Sequence, residues 1–126
     1  MAPPVIRLQR VYDPPPPGTG PRFLVDRLWP RGVRRESLGL TAWARDVAPS
    51  ASLRKWYGHD PALWEEFQAR YRAELDARPE TWAPLLEGAR REGGATLLFA
   101  ARDTARNSAV VLKAYLEARL AEGPGG

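Results

Sequence analysis

The stretch Ala95–Ala101, ATLLFAA, is apolar on both parities. A strand with one face in water alternates apolar and polar residues, whereas a strand without a polar face belongs at the centre of a sheet covered on both sides, as in parallel sheets. This constrains the chain to an α/β arrangement, and the other segments fit it. Val5–Val11 (VIRLQRV) is short, β-branched and alternating, and reads as a strand reaching at most Tyr12. Phe23–Leu28 reads as a second strand. Leu40–Val47 (LTAWARDV) has no settled period. An extended segment ending at Arg45-Asp46 is the preferred reading, and Leu40, Trp43 and Val47 would also fit a helix.

Helical signals fill the interval between these strands and Ala95. Ser50 is a good N-cap for a helix with Leu53, Trp56 and Tyr57 on its apolar face and Gly58 as its stop. Asp60-Pro61 is the clearest helix start, an Asp cap followed by Pro at the first position. Trp64, Phe67, Tyr71 and Leu75 then share a face, Glu66–Arg70 and Glu74–Arg78 form i,i+4 pairs, and Pro79 ends the helix. Trp82, Leu85, Leu86 and Ala89 suggest a further short helix closed by Gly93-Gly94, in which Pro84 is tolerable only in the first turn. Thr104 or Asn107 can cap a last helix carrying Val111, Leu112, Tyr115, Leu116 and Leu120.

Gly32–Gly39 reads as a polar connection. Asp13–Pro21, with its consecutive prolines, reads as a surface connection that could rim a site. It is short for a parallel crossover, so the relative direction of the first two strands stays open. The expectation is one compact α/β domain over residues 5–122, with a small, largely parallel sheet flanked by about four to five helices and a frayed tail at 123–126.

Composition excludes several classes of function. A chain of 126 residues has room for one modest core. Without cysteine there are no disulfides, thiolate nucleophiles, iron–sulfur clusters or Cys-based zinc sites, and with a single histidine a protein-only transition-metal site is not expected. No stretch has the pattern of a signal peptide or the length of a membrane span, so a cytoplasmic protein without membrane contact is expected. The formal net charge is +4, and all basic residues but Lys55 and Lys113 are Arg. That balance permits an anionic partner, but carboxylates are interspersed and it speaks first to solubility.

Chemistry concentrates where strands are expected to end. Leu24–Gly32, LVDRLWPRG, passes from an apolar run into Asp26 and Arg27, and Pro30 and Gly32 shape a turn around Arg31. Asp26-Arg27, Arg45-Asp46 and Arg102-Asp103 would converge on one edge of a parallel sheet, the edge where ligands of such folds bind. Arg offers a fork of donors suited to phosphate and carboxylate. The candidate ligand contacts are Arg27, Arg31, Arg54, Arg102, Asn107 and Trp29, with amides at the start of the last helix beside them. His59, Asp26 and Asp103 are the candidate acid–base groups, His59 because it titrates near neutrality. The same acids and bases would also serve as ion pairs tying strand ends to helices, and His59 could cover the end of the preceding helix. The Trp and Tyr residues fall mainly on helical core faces, and no nucleic-acid, dinucleotide, phosphate-loop or metalloprotease motif is present. No metal site is expected, and the residues name no cofactor.

Three blocks, VYDPPPPGTGPRFLVDRLWPRG, WARDVAPSASLRKWYGHDPALWEEFQARYRAEL and TLLFAARDTARNSAVVLKAYL, together resemble the YeaO-like proteins of the DUF 488 family, domains of unknown function. The resemblance runs from about Val5 to Leu120 and implies a compact bacterial α/β domain. Asp26, Arg27, Trp29, Pro30, Arg31, Gly32, Pro49, Ser50, Leu53, Arg54, His59, Asp60, Asp103 and Asn107 match its motifs. Relatives in the wider family carry Cys-His near the start of the last helix, where this chain has Asn107-Ser108, so thiol chemistry does not transfer. Three readings of function follow. The first is a site for a small phosphate- or carboxylate-bearing ligand, with or without acid–base catalysis. The second is a nucleic-acid-binding or regulatory module, and the third a protein-interaction domain. The residues do not decide whether the chain is an enzyme, nor its oligomeric state.

Overall fold

The computed structural model of the chain describes residues 4–15 and 20–122. The tail expected at 123–126 and part of the Pro-rich connection lie outside them. The strand Gly94–Phe99 is buried at every position, as its unbroken apolar character requires. In chain order the elements are β1 (Val5–Arg10), β2 (Arg22–Leu24), α1 (Arg35–Leu38), β3 (Ala42–Trp43), α2 (Ala51–Tyr57), α3 (Trp64–Ala77), α4 (Pro79–Glu92), β4 (Gly94–Phe99) and α5 (Ser108–Ala121). The four strands form one sheet in the order β1-β4-β2-β3, and every pairing is parallel. The direction left open above is thereby resolved: β1 and β2 both run parallel to β4, one on each side of it. In register, Leu8 and Phe23 both stand beside Leu97.

Side-chain alternation divides the core in two. Ile6, Phe23, Val25, Ala95, Leu97 and Phe99 share one buried cluster with residues of α2, α3, α4 and α5. Leu24, Leu98 and Val11, of the opposite parity, form a smaller cluster with Leu38 of α1, against which Trp29 and Trp43 pack. All four long helical segments therefore cover one face, while the other is sealed by the short stretch that leaves β2. Polar bonds tie the helical layer down. Tyr71 is buried and its hydroxyl donates to the Val47 carbonyl at 2.6 Å, and the Trp82 indole donates to the Leu75 carbonyl at 2.9 Å.

Several boundaries differ from the reading of the sequence, each for a local reason. β2 ends at Leu24 rather than Leu28. The Val25 amide still reaches the Leu98 carbonyl at 3.0 Å, but the Asp26 carboxylate then takes the Ala100 amide at 2.9 Å, so a side chain replaces the backbone ladder. The extended segment expected over Leu40–Val47 shrinks to β3, and Arg45–Val47 is a 3₁₀ turn. The connection Gly32–Gly39 contains α1, whose buried Leu38 plugs the lesser core. Glu66 pairs with Arg70 as expected. Glu74 does not pair with Arg78; its carboxylate accepts from the Ser50 amide at 2.8 Å and the Ser50 hydroxyl at 2.6 Å, stronger partners than an exposed Arg. α4 starts at Pro79, so Pro84 lies beyond the first turn, inside the helix. The site is solvent-facing at Glu80, whose carbonyl would otherwise have been its partner.

Gly20 has φ +109°, and a Cβ there would stand 2.6 Å from the Gly94 carbonyl oxygen. Gly93 also has a positive φ, +79°, but open space around it. Gly20→Ala is therefore expected to cost about 2 kcal/mol or more, from conformational strain plus a backbone clash, and Gly93→Ala only about 1 kcal/mol. Urea denaturation of the two variants measures both; equal losses would contradict the close approach of Gly20 to the start of β4.

Candidate functional site

The site begins where β2 leaves the sheet. Asp26 is held from both sides: its carbonyl accepts from the Trp43 indole at 2.7 Å, and its Oδ2 accepts from the Ala100 amide at 2.9 Å. The chain then turns through Arg27 to Gly32. This turn is pinned by the Trp29 indole donating to the Val33 carbonyl at 2.7 Å, by the Tyr12 hydroxyl donating to the Arg31 carbonyl at 2.9 Å, and by buried Pro30. Trp29 meets Trp43 edge to face at 5.4 Å, and the Arg35 guanidinium lies over Trp29. Gly32, at φ +75°, completes the reversal that presents Arg31.

Two further segments close on this turn. Ser50 caps α2 by accepting from the Leu53 amide, and with the Ser50–Glu74 bonds it fixes buried Pro49 and, one helical turn on, Arg54. At the start of α5, Asn107 Oδ1 accepts from the Val110 amide at 3.1 Å while its Nδ2 donates to the Asp103 carbonyl at 2.8 Å. Asn107, not Thr104, is thus the cap. Asp103 Oδ1 accepts from the amides of Ala105 and Arg106, each at 2.9 Å, which shapes the approach to the helix.

These segments enclose two adjoining cavities. One, of about 240 Å³, is lined by Asp26, Arg27, Leu28, Trp29, Pro30, Arg31, Ala48, Pro49, Arg54, Ala100 and Ser108. The other, of about 200 Å³, is lined by Asp26, Pro49, Arg54, Tyr57, His59, Phe67, Ala101, Arg106, Asn107 and Ser108. Asp26, Pro49, Arg54 and Ser108 face both. A larger cavity of about 370 Å³ lies by β3, where Arg45, Asp46, Arg78 and Glu80 balance one another in charge.

The charge in the first cavity is not balanced. Among the described residues, Arg27, Arg31 and Arg54 form no ion pair, whereas Arg34, Arg70, Arg78, Arg91 and Arg119 each meet a carboxylate. The Nε–H groups of Arg27 and Arg54 are buried without an acceptor. Asp26 is the carboxylate in this wall. Burial pushes its carboxyl above the ordinary value, against the opposing pull of the Ala100 amide and the Arg54 charge. Burial likewise raises the Tyr57 hydroxyl. Asp103 is held below the ordinary carboxylate value, first by the Arg106 amide and then by that of Ala105.

Of the residues singled out in the sequence, Asp26, Arg27, Trp29, Arg31 and Arg54 line the first cavity, and His59 and Asn107 line the second. His59 is exposed and takes a left-handed φ of +58°, unusual for a residue with a side chain, at the turn between Gly58 and Asp60. Arg102 and Asp103 are exposed and line neither cavity; Asp103 is engaged with amides and with Arg106 at 3.8 Å. Arg45 lies in the 3₁₀ turn with its guanidinium over Trp43 at 4.5 Å, so only one of the three charged dipeptides reaches the cavities. Pro49, Tyr57 and Arg106 were missed as lining residues. Arg106 carried one signal, its place beside the cap Asn107. No cluster of three acidic or histidine side chains among the described residues is placed to hold a metal ion, and none of the described helices is long and apolar enough to cross a membrane.

Residues 5–125 match a family model described as the inactive DUF488-N3 subclade. The chain is 40% identical over 116 residues to an uncharacterized protein of Mycobacterium tuberculosis, and equally to one of Mycobacterium bovis, covering 90% of this chain and 95% of each relative. It is 38% identical over 111 residues to the uncharacterized protein YeaO of Escherichia coli, covering 88% and 96%. No solved structure matches it.

The raised Asp26 carboxyl makes a test. A carboxyl whose proton affinity is raised by folding adds stability below its ordinary value of 3.8, and that stability is lost as pH rises through the raised value. Asp26→Asn keeps an acceptor for the Ala100 amide and removes the buried charge. It is expected to raise the unfolding midpoint at neutral pH, with the gain fading as pH falls toward 3.8. Thermal unfolding of both proteins across pH measures this, and a variant less stable than wild type at neutral pH would contradict it.

Proposed function

The chain belongs to the DUF488 family, in the group described as the inactive DUF488-N3 subclade, and from that premise we propose that it binds a small phosphate- or carboxylate-bearing anion in the cavity beyond β2 without turning it over. The observation that carries this reading is the convergence of Arg27, Arg31 and Arg54 on one concave wall with no ion pair among the described residues. Three guanidinium groups against the single carboxylate of Asp26 leave an excess of like charge, and like charges repel one another more strongly where protein displaces water. An anion entering the cavity relieves that repulsion and gives the forked guanidinium donors the acceptors they lack. Arg27 and Arg31 come from the turn after β2, Arg54 from α2, and Ser108 adds a hydroxyl from the start of α5. Trp29 and Pro30 supply the rigid apolar part of the wall.

A binding role fits these residues better than a catalytic one. Asp103, a candidate acid–base group, is engaged at the head of α5, and His59 stands in the adjoining cavity rather than beside Arg27 and Arg31. The word inactive in the family's description points the same way. A nucleic acid would need a continuous basic stripe. Instead, many exposed arginines outside the cavities are paired with carboxylates.

Isothermal titration with inorganic phosphate and with small carboxylates at low salt tests the reading. Wild type is expected to bind at least one of them. Arg31 is exposed, so Arg31→Ala should fold normally. It should bind about 10- to 100-fold more weakly, the loss of a charge-assisted hydrogen bond worth about 1.5–3 kcal/mol. Equal binding by the variant would place the anion elsewhere. No binding of small anions by wild type, together with salt-sensitive binding of oligonucleotides, would favour a nucleic-acid module.

A further inference from the structure

We infer that Asp26 makes this cavity selective for anions that carry a hydroxyl group near their charged end, such as polyol phosphates and hydroxy acids. The inference rests on the anion-binding reading above and adds the identity of the ligand. Asp26 Oδ2 is committed to the Ala100 amide at 2.9 Å, while no described residue donates to Oδ1. That bond holds the side chain in place, and the Trp43 indole, donating to the Asp26 carbonyl at 2.7 Å, fixes the backbone that carries it. Its carboxylate lies in the wall common to both cavities, beside Arg54, so a ligand reaching Arg54 from either cavity meets it.

A fully deprotonated phosphate monoester or simple carboxylate offers only acceptors. Beside Oδ1 it would set lone pairs against lone pairs and charge against charge, opposing what the arginines contribute. A ligand that carries a donor as well as a charge satisfies both kinds of wall group at once. An ammonium would be a donor too, but Arg27, Arg31 and Arg54 line the same cavity and repel a second cation. A neutral hydroxyl has no such conflict. A site built to receive a hydroxyl discriminates strongly against the analogue without one, because its buried polar group is then left unpaired.

Matched ligand pairs test this on the full chain. Above neutral pH, wild type is expected to bind glycerol phosphate about tenfold or more tightly than propyl phosphate, or lactate than propionate by a similar ratio. Asp26→Asn keeps one oxygen for the Ala100 amide and turns an NH₂ donor toward the cavity. It should bind propyl phosphate or propionate more tightly than wild type does and lose the preference for the hydroxyl, the ratio falling to about one. The comparison within wild type needs no variant to fold. Equal affinity for the two members of each pair, or a preference that survives in Asp26→Asn, overturns the inference while leaving anion binding in place. No binding of any of the four probes up to tens of millimolar overturns both.

Discussion

The hydrogen bond from the Ala100 amide to the Asp26 carboxylate is the joint on which the site depends. β2 is short, and beyond Val25 its backbone no longer pairs with β4. The amide of half-buried Ala100 would be left without its ladder partner, and an amide withdrawn from water without an acceptor is costly. Asp26 supplies that acceptor, so the two chains stay tied at the point where they begin to diverge. The divergence opens the cavities. The tie also puts a carboxylate where burial penalises its charge. An asparagine would make the same bond without that penalty, so stability alone does not account for aspartate there. The ligand-facing role proposed for the second oxygen would account for it.

The asymmetry of the two sheet faces explains why the arginines meet. The helical layer buries one face, and its hold on the sheet runs through Tyr71 to Val47 and through Glu74 to Ser50. Those bonds set the start of α2, and with it Pro49 and Arg54, against the end of β2. Among the described residues, no long helix covers the opposite face. It is sealed by Leu38, Trp29 and Trp43, residues of the excursion that leaves β2 and returns as β3. Trp29 therefore has two duties: it covers the lesser core and it forms part of the cavity wall. The Arg27–Gly32 turn is rigid because its indole and carbonyl groups are bonded at both ends, and rigid presentation lowers the entropy cost of gripping a ligand.

Much of this was legible in the sequence where one residue pattern had one physical solution. The doubly apolar β4 and the stop at Gly58 stand as the pattern implied, Asn107 is the one of the two candidate caps that serves, and Asp60 with Pro61 caps a 3₁₀ turn, Pro61–Leu63, that leads into α3. Legibility failed where a tertiary partner outbid a local one. Glu74 had an Arg at helical spacing but bonds the backbone and hydroxyl of Ser50 instead. β3 is only two residues long, too short to impress a period on its surroundings. Of the site, the Leu24–Gly32 block was readable as charge emerging from a strand. Arg54 was readable as a basic residue near His59, but its meeting with Arg27 depends on how α2 packs. Arg102 shows the converse: charge just past the end of β4 need not face the site, because the loop before α5 carries it to solvent.

On the proposed reading, Arg27, Arg31 and Arg54 form a cationic wall that Asp26 offsets only in part and that an anion completes. The most direct measurement is NMR of the arginine side-chain Nε–H groups during titration with inorganic phosphate. Arg27 and Arg54 have buried Nε–H groups without acceptors, so their signals should be slow to exchange and distinct from those of exposed arginines. These two, with Arg31, are expected to shift saturably as phosphate is added, while the signals of ion-paired Arg70 and Arg91 stay in place. Uniform small shifts across all arginines, without saturation, would mean that phosphate only screens the surface and would contradict the account.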